Sequence, residues 1–183
     1  MSADPDNNIS ADPDNNITVA QAIINEGIYI ALATSAVDGT PWCSPVFYGV
    51  TPDLTFILIS SIRSRHATNI RESGKASWAV YWGAKSPEET DGVMFGGFGR
   101  EVTQESEALK YGNILYDQRF PNVDERAEHP VHPAEWGKTG RRIYLLTPNE
   151  AYKVDKDDPY GVSRSLLRLE ALRGSKIIHP FSS

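Results

Sequence analysis

The sequence predicts a mainly β domain, an antiparallel sheet or barrel of six to seven strands with helices packed outside. Three observations carry this. Apolar stretches of strand length recur between tight turn signals, the clearest being Asp38-Gly39 and Thr51-Pro52-Asp53. Only three helical patterns interrupt them, so long helices do not alternate with each strand, which argues against a doubly wound parallel sheet. Gly96, Gly97 and Gly99 fall inside one strand pattern, where glycines mark bulges or the close approach of a ligand.

The elements follow in order. Residues 2–9 read SADPDNNI, and residues 10–17 repeat it. With one Ile per copy the repeat buries little surface, so 1–17 is expected to be a flexible arm. Its paired Asp residues lack the spacing of a calcium loop. Thr18 and Gln21 have the pattern of a capping box, opening a helix to about Glu26 with Gly27 as its stop. Residues 28–34 form the first strand, 41–50 the second and 54–60 the third. Residues 64–73 read as a helix stopped by Gly74, and 76–82 as an aromatic strand. After a polar loop at 83–91 comes the strand 93–102. Thr103 is the expected cap of a longer helix, with Glu105 and Glu107 suiting its N-terminal dipole. Ala108, Tyr111 and Leu115 share one of its faces. Residues 121–138 read as irregular. Residues 142–147 and 150–154 form a last strand pair around Pro148-Asn149. The expected division is an arm at 1–17, a domain at 18–160 and a C-terminal extension at 161–183.

Composition narrows the function. The chain has 183 residues, 40% of them hydrophobic, which suits one domain. Its longest apolar run, Ile28 to Ala33, is too short to span a bilayer, and no secretory signal is visible. A single cysteine, Cys43, excludes an intrachain disulfide and points to a reducing, cytoplasmic setting. Cys43 reads as a small buried apolar residue. The formal net charge is −6, which argues against nucleic-acid binding. Residues 1–62 carry seven acids and no Lys or Arg. The first cations, Arg63 and Arg65, arrive together in a serine-rich stretch.

That stretch, Ser60-Ser61-Ile62-Arg63-Ser64-Arg65-His66, is the strongest local signal. It ends an apolar strand and opens a helix. Ser64 as N-cap leaves free N–H groups at the helix start, where a phosphate is stabilised by the dipole. Arg65 can hold phosphate oxygens bidentately, and Ser60 and Ser61 offer hydroxyls. The competing reading is an ordinary capped helix with solvated arginines. No P-loop spacing is present. His129 and His132 have a metal-ligand spacing but no third ligand, so no metal is expected. Trp78 and Trp82 project to one face of their strand, which points to core or interface packing.

Taken together, the order of elements and these residues resemble the FMN-binding split-barrel superfamily, typified by pyridoxamine 5′-phosphate oxidase. The resemblance covers residues 28–155. It rests on Asp38-Gly39-x-Pro41-x-x-Ser44-Pro45-Val46, on Ser60 to Ile70, on Gly92 to Gly97, on Arg119-Phe120-Pro121 and on Arg142-Ile143-Tyr144 leading to Thr147-Pro148. It implies a split β-barrel and a cytoplasmic homodimer with FMN at the subunit interface, acting as an oxidoreductase on a small molecule with NADH or NADPH as the candidate donor. By position it implies that Ser60, Ser61, Ser64, Arg65 and His66 hold the FMN phosphate. Ser44, Pro45 and Val46 would line the isoalloxazine, and Trp136 would either stack near a flavin of the partner subunit or pack a plain interface. The family's C-terminal signature is incomplete: Tyr144 stands for a His and Leu146 for an Arg, and Met94 stands where relatives often have Gln. No catalytic acid or base is evident. A deazaflavin or a haem on the same fold, or a non-catalytic flavin-binding module, are the alternatives. Haem needs an axial ligand, and the chain has four histidines, at 66, 129, 132 and 179.

Overall fold

A computed structural model describes residues 13–82, 90–120, 138–154 and 163–174. Chain order is α1 (Pro13–Glu26), β1 (Tyr29–Ser35), β2 (Pro41–Val50), β3 (Phe56–Ser61), α2 (Arg65–Ser73), β4 (Lys75–Trp82), β5 (Asp91–Glu101), α3 (Glu105–Arg119), β6 (Arg141–Val154), β7 (Arg164–Leu166) and α4 (Leu169–Leu172). The sheet runs β3-β2-β1-β4-β5-β6-β7, all antiparallel, and β3 also pairs with β6. That extra ladder closes the first six strands into a barrel and leaves β7 outside the closure. The predicted mainly β class and antiparallel barrel are what the chain forms.

Alternation along the strands builds the interior. Ile30, Leu32 and Thr34 of β1 are buried at every second position. Tyr48, Phe56, Trp78 and Phe95 meet at its centre, with Phe56 5.3 Å from Trp78 and 5.1 Å from Phe95, and Trp78 stacked on Phe95 at 5.4 Å. Trp82 packs against the same core, as its shared face with Trp78 predicts. A second apolar cluster lies under α3, where Ala108 and Leu115 cover Ile57, Ile143 and Leu145.

The turn Asp38-Gly39 closes the β1–β2 hairpin. Gly39 has φ 85°, and the Thr40 N–H donates to the Asp38 carboxylate at 2.9 Å, which holds that carboxyl below its usual pKa. Four local expectations change. The first helix begins at Pro13, not Thr18, because proline is pre-set for a first turn. Thr18 lies inside it and donates back to the Asp14 carbonyl at 3.0 Å. The third helix starts at Glu105 after Gln104, without a side-chain cap from Thr103. Residues 142–147 and 150–154 are one strand, not a pair. The β5–β6 register passes from Gly96–Glu150 to Gly97–Pro148, so Asn149 is an extra residue and Pro148-Asn149 is a β-bulge. Cys43 is exposed, since alternate residues of β2 point outward.

Candidate functional site

The site begins where β2 and β3 part. They pair only through Tyr48–Leu58, Gly49–Ile57 and Val50–Phe56. Beyond that, Ser60 and Ser61 pair with Arg142 and Arg141 of β6. β2 stays with β1 from Phe47 to Pro41. The Tyr48 N–H donates to the Ile28 carbonyl, so even-numbered residues of β2 turn their backbone groups toward β1. By that alternation the carbonyls of Cys43, Pro45 and Phe47 face the parted side. At the other end of β2, α3 replaces a strand. Gln118 bonds both backbone groups of Val50, at 2.7 and 3.0 Å, and Arg119 donates to the carbonyls of Tyr48 and Gly27, both at 2.6 Å.

The helix α2 plugs the opening. Its start is formed as the sequence predicts: Ser64 is N-cap and its Oγ accepts from the Ala67 N–H at 3.3 Å, while Gly74 ends the helix in the left-handed region at φ 67°. Arg71, in the last turn, donates to the Ile62 carbonyl at 3.0 Å and to the Tyr144 hydroxyl at 3.1 Å, and pairs with Glu101. It thereby clamps the segment leading into the helix onto β6. Burial, with Glu101 beside it, pushes the Tyr144 phenol up to about 12, so it stays protonated.

His66 lies across the gap. Its Nδ1 is 3.0 Å from Ser44 Oγ on β2, and its Nε2 is 2.7 Å from Ser60 Oγ on β3. Ser60 Oγ is in turn 3.1 Å from Ser64 Oγ, which donates to the Ser61 carbonyl at 2.9 Å. His66 is buried, and burial lowers its pKa from 6.5, which favours the neutral ring. The imidazole therefore acts as a latch between two strands that no longer bond each other.

The predicted residues fall into three groups. Ser44, Ser60, Ser64 and His66 form one network, so their hydroxyls are engaged internally. Ser61 and Arg65 face outward beside it. Ser61 Oγ accepts from the Arg63 N–H at 3.2 Å, which leaves its own proton to donate. The Arg65 guanidinium lies 4.8 Å from the Trp42 ring centroid, across the gap toward β2. Pro45 is exposed and Val46 is buried, so Val46 offers no side-chain surface. Trp136, His129, His132 and His179 lie outside the described residues. Arg141 carries no local signal in the sequence, yet the β3–β6 register sets it beside Ser61, and the Ile62 N–H bonds the Gly140 carbonyl at 3.0 Å. Among the described residues, no carboxylate lies within salt-bridge distance of Arg63, Arg65 or Arg141, although the Arg65 charge helps to lower the Asp38 carboxyl. A separate groove of about 500 Å³, lined by Ser35, Lys75, Ser77 and Phe98 among others, contains none of the predicted site residues.

The family model described as pyridoxamine 5′-phosphate oxidase matches residues 18–155. No curated protein matches the sequence. Among solved structures, a haem-binding protein from Mycobacterium smegmatis superposes with a TM-score of 0.65 at 16% identity, over 91% of this chain and 62% of that one. This chain thus spans less than two thirds of that protein. A conserved hypothetical protein from Mycobacterium tuberculosis superposes with a TM-score of 0.62 at 18% identity, over 86% of this chain and 91% of that one. HutZ, the haem storage protein of Vibrio cholerae, gives 0.59 at 16% identity, over 73% and 92%. At these identities the structures share the fold. With the family model covering most of its length, the chain belongs to the pyridoxamine 5′-phosphate oxidase family, within the FMN-binding split-barrel superfamily.

Proposed function

We propose that the chain binds FMN, with the phosphate at the N-terminus of α2 and the ring along the parted edge of β2, and that it is a flavin-dependent oxidoreductase for a small molecule. The observation that carries this is the grouping at the start of α2. Backbone N–H groups and the Ser61 hydroxyl meet there with the exposed Arg65, with Arg63 two residues before it and Arg141 in register with Ser61, and no described carboxylate lies within salt-bridge distance of those three cations, Asp38 feeling the Arg65 charge from farther off. A dianion is what such a grouping lacks. The residues present fit the cofactor at its other end too, since the carbonyls of Pro45 and Phe47 face the parted side. When bound, the flavin supplies the hydride exchange, and the chain binds it, orients it and excludes water. The homodimer belongs to the same proposal, with two symmetric sites.

A second reading, haem binding, is favoured by two structural relatives, a haem-binding and a haem-storage protein. Against it stands His66, the one histidine among the described residues, whose ring nitrogens both hold serines. A haem held through a histidine would need His129, His132 or His179.

The purified full chain should quench FMN fluorescence on titration and show a flavin spectrum. Anaerobic NADH or NADPH should then bleach it. Unchanged FMN fluorescence together with a shifted Soret band on adding haemin would move the assignment to haem. FMN that binds but resists both donors would restrict the reading to a different donor or to binding alone.

A further inference from the structure

The network around His66 has a direction, and the direction reaches Ser44. A carbonyl only accepts, so the Ser64–Ser61 contact uses the single Ser64 hydroxyl proton. Ser60 must then be the donor to Ser64, which uses its own proton. The Ser60–His66 contact is left with Nε2–H as its donor. A neutral imidazole carries one N–H, so Nδ1 is bare and accepts from the Ser44 hydroxyl. Every proton in the chain Ser44, His66, Ser60, Ser64 is thereby placed. The N-cap of α2 sets the order, two strands away from its last effect.

We propose that this relay fixes Ser44 as a hydrogen-bond acceptor, and that Ser44 recognises the N3–H of the oxidised isoalloxazine ring. The proposal rests on the FMN reading above. The half-buried Ser44 hydroxyl spends its proton on His66 and offers lone pairs alone. A ligand group reaching it must bring an N–H or O–H. On FMN such groups are the isoalloxazine N3–H and the ribityl hydroxyls. With the ring along the parted edge of β2, on which Ser44 stands, the relay selects the pyrimidine edge for this place, and methylation at N3 separates that contact from one to the ribityl chain. Ser44 is then a specificity-determining residue, and His66, Ser60 and Ser64 are positioning residues that act through it.

Two measurements test this on the full chain. Long-range proton–nitrogen spectra of histidine-labelled protein, with the His66 signals assigned from the His66→Gln variant, should show the neutral Nε2–H tautomer at pH 7. Ser64→Ala releases the Ser60 proton and should populate the Nδ1–H form; an unchanged spectrum, or Nδ1–H in the unsubstituted chain, overturns the relay. Riboflavin and 3-methylriboflavin are then titrated by fluorescence. The unsubstituted chain should prefer riboflavin by about tenfold, the scale of one net hydrogen bond in a half-buried site. Ser44→Ala should reduce that preference to about one, and Ser44→Thr should keep it, if N3–H meets the Ser44 oxygen. A preference that survives in Ser44→Ala is steric and overturns the proposal, as does equal binding to the unsubstituted chain. Absence of any flavin binding overturns the FMN reading and this assignment with it, whereas a Nδ1–H tautomer alongside tight flavin binding removes the relay and leaves the FMN reading standing.

Discussion

Arg65→Ala separates a phosphate contact from every other role of that residue. Arg65 is exposed at the first position of α2 and lies over Trp42. A guanidinium–phosphate hydrogen bond at such a place is worth about 1.5–3 kcal/mol, which is roughly 10- to 150-fold in affinity. Losing the contact with Trp42 costs about 0.5–1 kcal/mol of local stability, and whatever part of it reaches binding falls equally on every ligand. Riboflavin has the same ring and no phosphate, so it reads the shared term alone. FMN affinity, followed by fluorescence quenching at low salt, should fall at least tenfold, and riboflavin affinity by less than about fivefold. Raising the salt should narrow the difference between the two ligands in the unsubstituted chain, because a surface charge contact is screened. Parallel weakening of FMN and riboflavin would refute the reasoning and make Arg65 a support of the β2 edge.

Three further outcomes follow from individual contacts. His66 is buried with its pKa below 6.5, so the unfolded chain binds more protons than the folded one just below that pH; stability should fall as pH drops under 6.5, and His66→Gln should flatten that part of a urea-midpoint profile. The Lys153–Asp91 pair, at 2.8 Å with both side chains under 5% exposed, should lose about 3–5 kcal/mol in Lys153→Met, and Asp91→Asn/Lys153→Met should recover most of it; a single-variant loss under about 1 kcal/mol would show the buried carboxylate satisfied by its other contacts, the Gly92 N–H among them. Gly74→Ala places a side chain at φ 67° with open space around it and should cost about 1–2 kcal/mol through backbone strain, visible as a lower urea midpoint with an unchanged slope.

What the sequence made legible was local. Ser64 and Gly74 bracket a helix because a hydroxyl at N-cap and a glycine in the left-handed region act within one turn, and both readings hold. The Asp38-Gly39 hairpin holds for the same reason. Errors arose where partners are distant in sequence. Pro148-Asn149 carries strong turn chemistry, yet Gly97 lies opposite and leaves room for a bulge, so β6 runs on. Thr18 has a capping pattern, but Pro13 starts the helix earlier. Cys43 looks apolar and small, and only the register of β2 with β1 turns it outward. The phosphate segment was read from its own residues. Arg141 was not, because its place beside Ser61 comes from a strand 80 residues away. His66 stands in the sequence within the phosphate segment, and its inward contact depends on Ser44, 22 residues earlier.

That latch makes the flavin and haem readings disagree about one residue. A histidine that serves haem must free a ring nitrogen. For His66 that would sacrifice the bond to Ser44 or to Ser60, and with it the one described side chain that bridges both strands at the parting. Each such bond is worth about 1 kcal/mol, and the serine left behind in a half-buried site adds its own desolvation cost. Any haem bound by this chain should therefore take its axial ligand elsewhere. Haemin added to His66→Gln should give the same Soret position as in the unsubstituted chain, since the Gln amide keeps one donor and one acceptor for the two serines. A shift in that band confined to the His66 variant, with the folded spectrum unchanged, would show that His66 ligates iron and that the latch opens at a cost smaller than its hydrogen bonds imply.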